Sequence, residues 1–331
     1  MAEIVLGLAS PHAFGGATTK NRAALLEKDQ TDRRMSYADL LAKAPAWMED
    51  AVADDKMQAR SDAALAGVAE LARILHDAEP DVLVVVGDDQ HEQFHEANMP
   101  MFSIYRGETM PTRRARSARA GSRVGSSAIS SPLWNQLRAE NAAASTLPPE
   151  QPAAPELAEQ MIETLVGEGF DIACSNEMNP DVGLGHAFTF VYNRLLPEGG
   201  VPMLPVMVNT FFPPNQPTPR RCYALGQALR QAIEEWDADQ RVVVLASGGL
   251  SHVIVDEEID HQLLDGVLND DREQLVTLPV ERLNLGTSEL RNWIIVAGAM
   301  EHKQSTSVLD YMPMYRSPAG TGNGCSIVSW S

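Results

Sequence analysis

Cysteine, aromatic residues and positive charge are all scarce in this chain. Three cysteines occur in 331 residues, Cys174, Cys222 and Cys325, none in a C-x-x-C spacing. An odd, scattered set excludes a disulfide framework and suits a reducing compartment, so a cytoplasmic location is expected. Lysine and arginine number 26 against 45 acidic residues, a net charge of −19. Nucleic-acid binding needs a basic surface that releases counterions, so no nucleic-acid partner is expected. No apolar run approaches the roughly 20 residues of a membrane helix. The opening MAEIVLGLAS lacks the charged region and long apolar stretch of a signal peptide, and no membrane association is expected.

What is present is the patterning of a layered fold. Short runs rich in β-branched residues, EIVLGLA (3–9), DVLVVVG (81–87), VPMLPVMVN (201–209) and RVVVLAS (241–247), read as buried strands, each leading into a polar or glycine-containing loop. Between them lie amphipathic stretches. Ser61 to Ala78 places Leu65, Val68, Leu71 and Leu75 on one face before Pro80; a second run follows Pro155 with Leu157, Met161, Ile162 and Leu165; a third extends from Tyr223 to about Trp236. The expected fold is α/β, a central mixed sheet flanked by helices with its site at strand C-terminal ends. One domain is expected over 1–331, with a helical insertion at 15–78 and a variable loop region at 106–155. That region holds the five-arginine run 113–123 and ends in the Ala/Pro-rich stretch 141–155, read as a surface connection.

Three histidines follow framework strands closely: His12, His91 and His252. Asp88 and Asp89 end the second strand, and Asp256, Glu257 and Glu258 lie just beyond His252. Imidazole and carboxylate donors without cysteine suit a hard or borderline divalent metal, either an open non-haem iron(II) site or a zinc site with bound water, and spacing alone does not separate these. The run DEEID (256–260) also reads as a solvated helix start, where acidic residues suit the positive end of the dipole. His186 follows two glycines that let backbone approach a ligand, and it precedes a helical stretch, FTFVYNRLL.

Several segments together resemble a known family. SPHAF (10–14), the GDDQ strand end, the D-x-G-x-G-H segment ending at His186, PVMVNTFFPP followed by RRCYALGQAL, and SGGLSH followed by DEEIDHQLLD are similar to the class III extradiol ring-cleaving dioxygenases. Within that family they resemble the catalytic β subunit of protocatechuate 4,5-dioxygenase and the gallate and 3-O-methylgallate dioxygenases. The resemblance implies Fe(II) as cofactor, with a small catechol-type, carboxylated aromatic and O₂ as substrates. Carried over position by position, the metal ligands fall on His12, Gln90 and Glu258. Gln90 stands where the family has histidine, and the neighbouring His91 is the alternative. The family's acid/base histidine falls on Val182, so the role passes to His186, four residues on; His252 matches a family histidine close to the metal. Arg221 or an arginine of 113–123 is the expected contact for a substrate carboxylate. A homo-oligomer is expected, and any small-subunit counterpart would be another chain. Two alternatives remain open at this point: a catalytically silent metal- or ligand-binding relative, and a zinc or manganese hydrolase using the same pocket.

Overall fold

The structure, a computed structural model, describes residues 1–12, 21–112, 130–133, 135–136, 147–179 and 182–331. The strands in chain order are β1 (Glu3–Ser10), β2 (Val82–Asp88), β3 (Phe102–Tyr105), β4 (Thr109–Pro111), β5 (Glu150–Pro152), β6 (Ala173–Ser175), β7 (Met203–Val208), β8 (Arg241–Ser247), β9 (His252–Ile254), β10 (Ser305–Tyr315) and β11 (Thr321–Trp330). Nine of them form one sheet in the order β10-β11-β1-β8-β2-β7-β3-β6, with β9 on β11; β4 and β5 pair separately. At its centre β1, β8, β2 and β7 run parallel, while β3 and β11 join antiparallel. The expected mixed sheet with flanking helices is therefore the fold.

Burial on both faces explains the near-continuous apolar runs of the central strands. In β2, Val82, Val84 and Val86 enter one core, against the helices Pro155–Gly167, Pro219–Glu234 and Leu290–Ala299, whereas Leu83 and Val85 enter the opposite core, against Asp54–Asp77. The helix Pro219–Glu234 lies so close to Leu290–Ala299 that a Cβ on Gly226 would stand 1.9 Å from the Ile295 carbonyl oxygen. Only glycine permits that approach.

Local signals place the helix ends. Pro155 occupies the first turn of its helix, and Thr218 accepts a hydrogen bond from the Arg221 N–H, starting the third helix at Pro219 rather than near Tyr223. The first long helix begins at Asp54, earlier than the expected Ser61, and Leu65 is turned outward. The small residues Ala64 and Gly67 take the buried face instead, because Leu309 of β10 packs directly over Gly67. The rest of the 15–78 stretch contributes the helices Arg22–Thr31, Tyr37–Lys43 and Met48–Ala51. The arginine run 113–123 and residues 141–146 lie outside the described residues; the end of the Ala/Pro-rich stretch forms β5 and enters the helix at Pro155. Among the described residues, no helix is long and apolar enough to cross a membrane.

Candidate metal centre

Because β8 lies between β1 and β2, the carboxyl ends of three adjacent parallel strands open onto one spot. His12 follows β1, Asp88 ends β2, and Ser247 ends β8 before the glycine turn that leads to His252. The helix His186–Phe190 seats itself over β2 at Gly87, where a Cβ would be 2.8 Å from that of Ala187. Ser247 Oγ donates to the Ala187 carbonyl at 2.5 Å and stands 3.5 Å from His12 Nδ1, tying that helix to the strand ends.

One donor atom each from His12, Asp88 and His186 lies within 4.8 Å of the other two. The rings of His12 and His186 meet edge to face, centroids 4.6 Å apart. A second carboxylate completes the cluster. Glu289, fully buried, has Oε2 3.6 Å from His12 Nε2 and Oε1 3.0 Å from His252 Nε2, and it accepts the Gly249 N–H at 2.7 Å. Gln90 bridges the two acids, its Nε2 donating to Asp88 Oδ2 at 2.9 Å and to Glu289 Oε1 at 3.4 Å.

Protons follow from these contacts. Burial pushes His12 down to about 4, against the opposing pull of Glu289, so its imidazole is neutral near pH 7. Burial would also lower His186, but Glu92 and Asp88 overcome it and lift the ring to about 10. Glu92 holds both the His186 backbone N–H and Nδ1, each at 2.9 Å, leaving Nε2 directed toward Asp88 at 3.8 Å. His252 Nδ1 faces the Leu250 carbonyl at 2.8 Å, and Glu289 raises this ring's pKa against the effect of burial. Burial and the charge on Glu289 raise Asp88, whereas His252 and His12 hold Glu289 low despite its burial. Asp88 Oδ1 is buried without a hydrogen-bond partner. A neutral imidazole, two buried carboxylates and an unsatisfied carboxylate oxygen are a donor set that fits a hard or borderline divalent cation.

The structure brings together His12, Gln90, His186 and His252, and it corrects the carboxylate. Glu258 is not in the cluster: it lies in the first turn of the helix Glu257–Leu268, its side chain 73% exposed and 3.3 Å from Arg282. The helix-start reading of DEEID is the one that describes it. Asp256 caps that helix, and Asp260 is buried, accepting from the Ser251 N–H and hydroxyl and from Tyr311. Glu289 has a signal of its own, an acid at the head of the apolar run LRNWIIVAGA, whose helix is buried throughout. Glu92 carries no comparable signal. His91 stacks on Phe212 rather than joining Gln90 at the carboxylates. Arg221 has its guanidinium carbon 3.8 Å from the centre of the Phe170 ring and donates to the Gly169 carbonyl, so it is engaged there.

A fold with imidazole and carboxylate groups gathered at the ends of parallel strands has known relatives. The chain belongs to the family described as the catalytic LigB subunit of aromatic ring-opening dioxygenase, whose model matches residues 48–321. It is 33% identical over 173 residues to a gallate dioxygenase of Pseudomonas putida, covering 48% of each chain. It is 27% identical over 220 residues to a 2,3-dihydroxyphenylpropionate/2,3-dihydroxicinnamic acid 1,2-dioxygenase of Comamonas testosteroni, covering 66% of this chain and 54% of that one. The chain thus spans about half the length of the curated relatives it matches.

Proposed function

We propose that this protein is a non-haem Fe(II)-dependent extradiol dioxygenase that opens the ring of a catechol-type, carboxylated aromatic with O₂. The observation that carries the reading is the buried pair Asp88 and Glu289 facing the neutral imidazole of His12 at the ends of β1, β8 and β2. His12, Asp88 and Glu289 hold the metal, and Gln90 lies between the two acids, where its amide oxygen is available as a further donor once the amide turns over. Bound ferrous iron supplies a place where the dihydroxylated ring and O₂ meet and exchange electrons.

The chain's own side chains do the rest. Glu92 fixes the His186 ring with Nδ1 occupied, so Nε2 is the nitrogen offered to the cluster. A cation held beside Asp88 would offset part of the charge that raises His186, and Nε2 would be the nitrogen that takes a hydroxyl proton and returns it later. His252, held by the Leu250 carbonyl, directs Nε2 at Glu289 and sets the rotation of that carboxylate. The glycine turn before His252 packs against Glu289 and Asn292, which keeps water from the back of the site.

Anaerobic purification, metal analysis and oxygen uptake with catechol, protocatechuate and gallate test this reading. Stoichiometric iron with oxygen consumption and a new yellow product is the expected result. Zinc or manganese without oxygen uptake would point to a hydrolase, and absence of any bound metal to a silent relative; either overturns it.

A further inference from the structure

His186 opens its helix, so its backbone N–H has no acceptor within that helix and its place is set by what precedes and faces it. What faces it is the loop after β2. Asp89 shapes that loop by accepting three consecutive backbone N–H groups, those of Glu92 at 3.2 Å, Gln93 at 2.7 Å and Phe94 at 3.3 Å. The loop therefore leaves β2 at Asp88, a donor of the metal centre, and turns back at once toward His186. There Glu92 holds the backbone N–H and Nδ1 of His186, and a Cβ on Gly185 would stand 2.6 Å from Glu92 Oε2, so the approach needs glycine.

Gln93, the next residue, grips the same segment earlier in the chain. Its Nε2 donates to the Gly183 carbonyl at 2.6 Å and its Oε1 accepts the Asn179 N–H at 2.9 Å. A backbone carbonyl at one end and a backbone N–H at the other fix which way the amide faces. A carboxylate here would have nothing to donate to Gly183, and an apolar side chain would make neither bond. The Val182 and Gly183 N–H groups both donate to the Asn179 carbonyl, at 3.0 and 2.7 Å, with Gly183 in the left-handed region at φ +68°. One side chain thus closes that turn from outside, two residues before Gly185, which caps the helix of His186. The path to the metal centre is short: Gln93 adjoins Glu92, Glu92 holds His186 Nδ1, and His186 Nε2 lies 3.8 Å from Asp88 Oδ2.

We propose that Gln93 is a positioning residue for His186: its amide clamps the segment that ends at Gly185 onto the loop after β2, and so fixes how far His186 Nε2 stands from the metal centre. The inference rests on the ring-opening reading above, in which His186 Nε2 handles the proton of a substrate hydroxyl. Proton transfer needs hydrogen-bond reach, and a displacement of about 1 Å can slow a reaction by as much as ~100-fold. Both ends of the Gln93 amide are taken by the clamped segment. Its loss therefore slows turnover without loosening metal or substrate.

Oxygen-uptake kinetics, iron content and backbone amide exchange of the wild type, Gln93→Met and Asn215→Ala test it. Methionine has a similar length but makes neither bond. Asn215 donates to the Met99 carbonyl in the same loop after β2, away from His186, and serves as the control. Gln93→Met is expected to lower kcat about tenfold or more while KM and iron content stay within about twofold. In the metal-free protein it is expected to speed exchange of the His186 amide N–H about tenfold. Asn215→Ala leaves all four quantities unchanged. Gln93→Asn, whose amide stops one methylene short, is the second variant should Gln93→Met not fold, and the same result is expected of it. A kcat equal to wild type, a rise in KM or a loss of iron as large as the fall in kcat, unchanged exchange at His186, or an equal loss of turnover in Asn215→Ala overturns the assignment. Absence of oxygen uptake by the wild-type protein overturns the dioxygenase reading instead, and exchange at His186 then decides the clamp alone.

Discussion

At the scale of single residues, charge and burial separate two glutamates that look alike in the sequence. Glu289 has no exposure and accepts from Gly249 and His252, whereas Glu258 stands in solvent beside Arg282. Glu289→Gln is expected to lower metal affinity by roughly 100-fold or more, because it removes a buried anionic donor. Glu258→Ala is expected to keep its metal and to change stability by no more than about 0.5 kcal/mol, as exposed ion pairs contribute little. Metal content after anaerobic desalting, measured beside the unfolding midpoint, checks both. Glu92 is the second residue with a sharp expectation. Its carboxylate raises His186, so Glu92→Gln must move that pKa downward, by roughly one unit or more. Histidine NMR titration, or the acidic limb of the activity profile, reads the direction; an upward shift would show that Glu92 is not the partner that matters.

At the scale of elements, buried polar groups fasten loops onto the sheet. Asp260 carries the turn before His252 by accepting two hydrogen bonds from Ser251 and one from Tyr311. Burial nevertheless lifts its pKa from 3.8 to about 6. The folded state therefore holds the Asp260 proton more tightly than the unfolded chain does. This group's contribution is most favourable below 3.8 and is lost as pH rises through about 6, a change of roughly 3 kcal/mol. Urea unfolding between pH 4 and 7 should show Asp260→Asn less stable than wild type at the acid end, with the gap narrowing as pH rises. A gap that widens contradicts the assignment. Arg291 acts similarly at the other side of Glu289. Its fully buried guanidinium donates to the carbonyls of Pro217, Thr210, Leu283 and Ser288, joining the loop after β7 to the turn that carries Glu289. Arg291→Met strands those acceptors and should cost about 3 kcal/mol or more, and Arg291→Lys should recover little, since an ammonium cannot span the same fork. Chemical denaturation compares the three proteins.

At the scale of the whole molecule, the metal centre holds protons where a cation fits. His186 is lifted to about 10, first by Glu92 and then by Asp88, and Glu289 raises His252. A divalent ion entering between Asp88 and Glu289 offsets the charge that raises His252 and part of the charge that raises His186, so binding at pH 7 should release protons, and apparent affinity should rise with pH. Calorimetric titration with ferrous ion under argon, repeated in buffers of different ionisation enthalpy, counts them. Proton uptake would mean that the ion binds elsewhere. Metal should also raise the unfolding temperature, because it binds only the folded arrangement.

The strands, their helices and the rim where the site lies were legible in the sequence, since apolar periodicity is a local property and each central strand is buried on both faces along its whole length. The positions of His12, His186 and His252 at that rim were legible because each closely follows a strand or a glycine turn, whereas Gln90 was placed there by the family resemblance alone. The identity of the acid was not. Glu258 and Glu289 each open a helix, and chain order places Glu258 nearer His252; only the folded backbone turns one toward solvent and returns the other, 37 residues beyond His252, to that imidazole. The same holds for Leu65, displaced outward because β10 needs small residues beneath it, and for Glu92, whose role exists only where the loop after β2 meets the helix of His186. Sequence determined which segments become strands and helices and what chemistry they carry, because those choices depend on near neighbours. Tertiary structure decided which carboxylates lose water together, because desolvation depends on what the rest of the chain packs around them.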